Sequence, residues 1–384
     1  MKLILHIGTV KTGTTTAQAW FAQNRVALKE QGIWYPSSLP SIDKRPVGTS
    51  HPFIVDVVLA PEHFRRNALG AFRHEFESMK AAGCKVCIMS FEDLEFRLSS
   101  SEMVAGLAGF LRDYFDAIEI VLYLRPQIDT VVSFASTASL LGVRIDRKWF
   151  FGQSRNRSIF DYNAAVDRWE SVFSSENVRC LSYKRDLPFA DYVVKQLAID
   201  GALFKPVENR NISVGSNIIA LGNVLQMPHV FTESVVQNLP RSEPLSVGAE
   251  MARWFQSNFD ESNAELVRRR DDIRVEDLEP DWRRYEKPEN LDAIAQECVF
   301  AAELKALFQL LTGQMCLERA RNALMRAEIA KGHRQMDAVL AFANVALIEA
   351  RGAMQIEAFK GEAQRIQEVA TVLAALQASN VSSA

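Results

Sequence analysis

The sequence predicts an α/β protein, a three-layer domain with a parallel sheet followed by a helical C-terminal region. Three features predict it: short, near-continuous apolar runs, helix-like segments between them, and polar clusters where the runs end. Leu3 to Ile7 is the first run and stops at Gly8; Thr14 to Leu28 then carries Ala17, Trp20 and Phe21 at helical spacing until Gly32. Val86 to Met89 follows a helix-like segment and ends in Ser90-Phe91-Glu92-Asp93. Ile118 to Leu124 ends in Arg125-Pro126 and leads into a helical stretch through Leu141. Val178 to Tyr183 is closed by Lys184-Arg185-Asp186. In sheets covered on both faces, ligands bind at the carboxyl ends of the strands, and all these clusters fall there.

Beyond about Asn209 the strand signal fades, and Ala249 to Arg270 and Leu291 to Leu311 read as helices. Leu317 to Gln377 is rich in Ala, Glu and Arg and is broken only at Gly332, Gly352 and Gly361. The expected division is a domain over residues 1–290 and a helical region over 291–384. Within the latter, Ile356, Phe359, Ala363, Ile366, Ala370 and Leu373 alternate spacings of three and four, about two and a half heptads. Such a stripe needs a cover, either helices of its own domain or a second copy of the chain in a homo-oligomer. Asn380 to Ala384 reads as a frayed tail.

Composition narrows the function classes. The 384 residues carry 44 Lys plus Arg against 47 Asp plus Glu, a net charge of −3, which leaves no basic excess for a nucleic acid. Five cysteines are too few and too scattered for a disulfide framework and point to a reducing compartment. No run approaches the roughly 20 apolar residues of a membrane span, and Met1 to Ile7 is too short for a signal peptide, so a cytoplasmic protein without a transmembrane segment is expected. Cys84 and Cys87 form a C-x-x-C with no second pair and read as buried thiols rather than a metal site. Arg268 to Arg270 read as a solvated helix face, and His6 as a satisfied core histidine.

The chemistry concentrates in Gly8-Thr9-Val10-Lys11-Thr12-Gly13-Thr14-Thr15, between a strand and a helix, where backbone N–H groups and a helix N-terminus converge on one anion. The two glycines keep the Walker spacing, but Thr14 stands where the triphosphate form requires Lys, and the cation has moved to Lys11. This loop resembles that of the P-loop sulfotransferases, which use 3′-phosphoadenosine 5′-phosphosulfate as sulfuryl donor and place a Lys two residues before Gly-Thr-Thr, as Lys11, Gly13, Thr14 and Thr15 stand here. A second family element is an Arg at a strand end with a Ser eight residues on, gripping the donor's 3′-phosphate; Arg125 and Ser133 match it. His6-Ile7-Gly8-Thr9 and the stretch Ser257-Asn258 to Ser262-Asn263-Ala264-Glu265-Leu266 resemble bacterial carbohydrate-type members, and the resemblance covers about residues 1–290.

The resemblance implies donor contacts from Lys11, Thr12, Gly13, Thr14, Thr15, Arg125 and Ser133, with Tyr183 against the adenine, and an acceptor hydroxyl on a carbohydrate or glycolipid. It also implies a base, with Glu92 and His51 as rival candidates, and catalysis by Lys11 without a metal. The family's Lys-Gly-rich closing segment is not recognisable; Asn209-Arg210-Asn211-Ile212-Ser213 occupies the comparable region. Two other readings compete: a P-loop kinase with Asp93 serving magnesium, and a non-catalytic donor-binding module assembled through the C-terminal helices.

Overall fold

The computed structural model describes residues 1–37, 39, 41, 49–207, 214–226, 242–296, 301–333 and 335–381; Asn209 to Ser213 lie outside them. Strands β1 (Lys2–Gly8), β2 (Ile33–Trp34), β3 (Val86–Ser90), β4 (Ala117–Leu124) and β5 (Val178–Ser182) form one parallel sheet in the order β2-β3-β1-β4-β5. β1 is central because Leu3, Ile4, Leu5 and Ile7 are all fully buried, each worth about 1.5–3 kcal/mol of burial. The period of two splits them between faces. Leu3, Leu5 and Ile7 join Met89, Ile120 and Leu122 under helices that contribute Phe53, Phe72, Leu107 and Trp169. Ile4, Ile88 and Val121 face the other way, against Ala17, Phe21, Phe189 and Val193. Three layers result.

The departures from the sequence reading are local. β2 has two residues, too few to make an apolar run. The helix expected over Thr14 to Leu28 is two, α1 (Thr14–Gln23) and α2 (Arg25–Glu30), because Asn24 turns its side-chain amide onto the carbonyls of Trp20 and Lys205, both at 3.0 Å. Ala249 to Arg270 likewise divides into Gly248–Ser257 and Asp260–Arg269, with the Asn258 amide on the Trp254 carbonyl at 2.6 Å. Arg268 is exposed as expected, but Arg270 is not on a solvated face: it is 7% exposed and bonds Glu170, Asp272 and the Val178 carbonyl. Tyr183 lies just past β5 and is exposed.

The chain divides into two compact units, Met1–Ser139, Ile145–Ile219 and Pro240–Ala295 in one, and Leu140–Arg144, Ala220–Leu239 and Gln296–Ala384 in the other. The second contains the helices Ala301–Gly332, Met336–Ala353 and Lys360–Val381. Their shared core is largely alanine: Ala320, Ala323, Ala346, Ala350, Ala363 and Ala370 pack with Leu317 and Ile366, and Leu373 packs with Ala327 and Ala343. The stripe from Ala363 to Leu373 is thus covered by helices of its own unit. Gly313 serves the same close packing, since a Cβ there would fall 2.7 Å from both Ile356 and Phe359.

Ala350 is fully buried in this core, so Ala350→Leu adds volume where none is free and should cost about 1–3 kcal/mol. Thermal unfolding of the full chain followed by circular dichroism tests it; an unchanged transition would mean that the helices are not closely packed.

Candidate functional site

The loop between β1 and α1 is shaped by two close approaches. After His6 the register of β1 against β4 shifts, so that Gly8 pairs with Leu122. Gly8 has φ +112°, and a Cβ on it would lie 2.4 Å from the Glu92 carbonyl oxygen, so no other residue fits. Gly13 has φ +81° and leads into α1, whose first turn has neither a capping side chain nor an acidic residue, leaving its N–H groups for an anion. Lys11 is left-handed at φ +65° without being glycine, a conformation that costs about 1–3 kcal/mol and is held by its surroundings. The Thr9 hydroxyl donates to the Tyr123 carbonyl at 2.8 Å and the Thr12 hydroxyl to the Thr9 carbonyl at 2.7 Å. Thr12 is therefore committed to the loop's own frame, whereas Thr15 is exposed and Thr14 is buried at the start of α1.

Side chains from just past β4 and β5, from the loop before α1 and from the helix Gln127–Leu140 meet here. Lys11 Nζ donates to Thr137 Oγ1 at 3.0 Å, a partner that no sequence signal singled out. Ser133 is partly buried one turn before Thr137, on the same side of that helix. Arg125 Nη1 donates to the Lys11 carbonyl at 3.0 Å, and its guanidinium lies 5.0 Å from the centre of the Tyr183 ring. That ring in turn stands 3.9 Å from where a Cβ on Gly13 would be. Burial, then the Arg125 charge, pulls the Lys11 pKa below its ordinary value, while the Glu92 carboxylate acts the other way. Lys11, Arg125, Tyr183, Ser133 and the α1 N-terminus thus belong to one locality.

Beside Arg125 and Tyr183 opens a cavity of about 540 Å³, lined also by Asp129, Lys184, Glu279 and Arg284. Its far wall is fastened to the helix Gln127–Leu140 and to the segment after β5. Tyr285 and Arg284 donate to Asp129 at 2.6 and 3.2 Å, and Lys184 Nζ donates to the Glu276 carbonyl at 3.2 Å. The two bonds to Asp129 join residues 155 and 156 positions apart and the Lys184 bond residues 92 apart, beyond the reach of any local pattern.

The two base candidates differ in surroundings. Glu92, just past β3, is partly buried and accepts from Gln18 Nε2 at 2.7 Å. His51 is 3% exposed; its Nδ1 accepts from the Ser90 N–H at 3.0 Å, so its Nε2 carries the proton and donates to the Pro36 carbonyl at 3.2 Å. Burial pushes its pKa down to about 4. His6, which the sequence marks as a satisfied core histidine, is buried but satisfied only in part. Its Nδ1 meets Ser90 Oγ at 2.9 Å and its ring stacks on Phe189, but Nε2 has no hydrogen-bond partner among the described residues. Cys84 and Cys87 are buried free thiols, and among the described residues no group of three or more His, Cys, Asp or Glu could hold a metal ion. None of the described helices is long and apolar enough to cross a membrane.

No protein-family model matches the chain, and no curated protein matches it. Among solved structures it is similar to a sulfotransferase from Alicyclobacillus acidocaldarius, at 15% identity and a TM-score of 0.37, over 69% of this chain and 94% of that one. So remote a likeness carries no argument about function, which is read from the residues of the site.

His51 makes folding sensitive to acid. The unfolded chain takes up its proton near pH 6.5, whereas the folded chain refuses it until about 4, so this contribution is complete above pH 6.5 and is lost as pH falls through that window. At pH 5 the loss is about 2 kcal/mol. Urea unfolding at pH 7 and pH 5 should show a smaller loss in His51→Gln than in the native protein; equal losses would mean that His51 is solvated.

Proposed function

We propose that the chain is a sulfotransferase that moves a sulfuryl group from 3′-phosphoadenosine 5′-phosphosulfate to a hydroxyl of a carbohydrate or glycolipid. The observation that carries this reading is a cation set inside a phosphate-type loop: Lys11 with its amine on Thr137 and its carbonyl held by Arg125. A triphosphate-binding loop uses a Lys at the helix start instead, where this chain has Thr14. In this reading the loop N–H groups, Thr14 and Thr15 take the 5′-phosphosulfate. Arg125 and Ser133 take the 3′-phosphate, and Tyr183 stands against the adenine.

Transfer between oxygens needs in-line positioning and charge compensation more than covalent help. The acceptor oxygen forms a bond to sulfur as the bond from sulfur to the bridging phosphate oxygen breaks. The electron pair leaves with adenosine 3′,5′-bisphosphate, whose developing charge Lys11 offsets, and the acceptor's proton passes to Glu92. We assign the base to Glu92 rather than His51 because both His51 nitrogens are engaged in the fold. No metal is required in this scheme.

Calorimetric titration with adenosine 3′,5′-bisphosphate, and separately with ATP plus Mg²⁺, tests the reading. The bisphosphate should bind without metal and more tightly; tighter binding of MgATP would sink the proposal in favour of a kinase. Arg125→Ala should weaken the bisphosphate tenfold or more beyond any loss for adenosine 5′-phosphate, since a charged hydrogen bond is worth about 1.5–3 kcal/mol. Equal losses for both nucleotides would remove Arg125 from the 3′-phosphate.

A further inference from the structure

We propose that Gln18 is a positioning residue for this site: its side-chain amide holds the Glu92 carboxylate in the orientation from which it takes the acceptor's proton. The inference rests on Glu92 being the base. Gln18 is 4% exposed on α1, and its Nε2 donates to Glu92 Oε2 at 2.7 Å and to Ser90 Oγ at 3.1 Å.

The carboxylate sets the direction of these bonds: its oxygens accept, so the NH₂ end of Gln18 faces Glu92, since the reversed amide would set its oxygen against a carboxylate oxygen. The same NH₂ group reaches Ser90 Oγ, which also meets His6 Nδ1 at 2.9 Å. Unlike a lysine or histidine, an amide neither titrates nor neutralises the base it holds. Gln18 also lies on the helix that Gly13 opens, only five residues on. One rigid element thus carries both the N–H groups facing the donor and the anchor of the base.

A purely structural Gln18 would also be buried and bonded, so the test must read coupling to Glu92. Gln18→Leu and Gln18→Met remove the donor groups while keeping most of the volume. With an accepted sugar, or glycerol as a small stand-in hydroxyl, kcat should fall about tenfold to a hundredfold. The acceptor KM and the affinity for adenosine 3′,5′-bisphosphate should stay within about twofold. Because the amide acts through the carboxylate, Gln18→Leu combined with Glu92→Gln should be no slower than Glu92→Gln alone. A crystal structure of Gln18→Met should find the Glu92 carboxylate displaced.

Losses that multiply in the double variant, native kcat in both Gln18 variants, or an unmoved carboxylate would overturn the role of Gln18 and leave the base standing. Loss of bisphosphate binding in both variants would make Gln18 structural and equally overturn it. Native turnover in Glu92→Gln would instead remove the base assignment, and the positioning role with it.

Discussion

The geometry of the site depends on one steric constraint, the contact between the ends of two neighbouring strands. Where the chain leaves β1 at Gly8, it passes so close to the Glu92 carbonyl beyond β3 that no β-carbon fits between them. Parallel pairing of β1 and β3 brings these ends level, with His6 opposite Ser90. The glycine loop and a carboxylate therefore become neighbours through backbone contact alone, before any side chain contributes. The bonds among Gln18, Ser90, Glu92 and the two histidines then refine an adjacency that the sheet already imposes.

Much of this was legible in the sequence because the signals are local. Leu3 to Ile7, Val86 to Met89 and Ile118 to Leu124 are apolar on both faces but for His6 and Glu119, as interior parallel strands must largely be. The loop after the first run carries its glycines and lysine in one contiguous string. What escaped notice has its cause elsewhere in the chain. Thr137 matters because the Lys11 amine reaches it across 126 positions, and Asp129 because Arg284 and Tyr285 return to it. Gln18 is an unremarkable helix residue until the fold sets Glu92 beside it. Asn24 and Asn258 broke helices that periodicity alone would have continued, since a short amide side chain competes for backbone carbonyls.

The histidines show how burial changes a residue's meaning. As a residue type His51 invites a catalytic reading, because its ordinary pKa lies near neutrality. In the fold it is a fixed neutral bridge between the Ser90 N–H and the Pro36 carbonyl, supporting the strand end that carries Glu92. His6 supports the same strand end from β1 through the Ser90 hydroxyl. The carboxylate, by contrast, stays partly open to the surface.

The alanine core of the C-terminal helices has a consequence for sequence drift. An alanine side chain removes little apolar surface from water, so three helices joined through such residues depend on close backbone approach and on many weak dispersion contacts. An ordinary leucine core can exchange volume between neighbours when one residue changes. Here most positions are already near the smallest side chain, and Gly313 is at it, leaving few neighbours beyond Leu317, Ile366 and Leu373 able to shrink in compensation. Substitutions in these helices should therefore accumulate on the outward faces while the inward alanines and Gly313 are kept, a pattern by which distant copies of this unit can be sought.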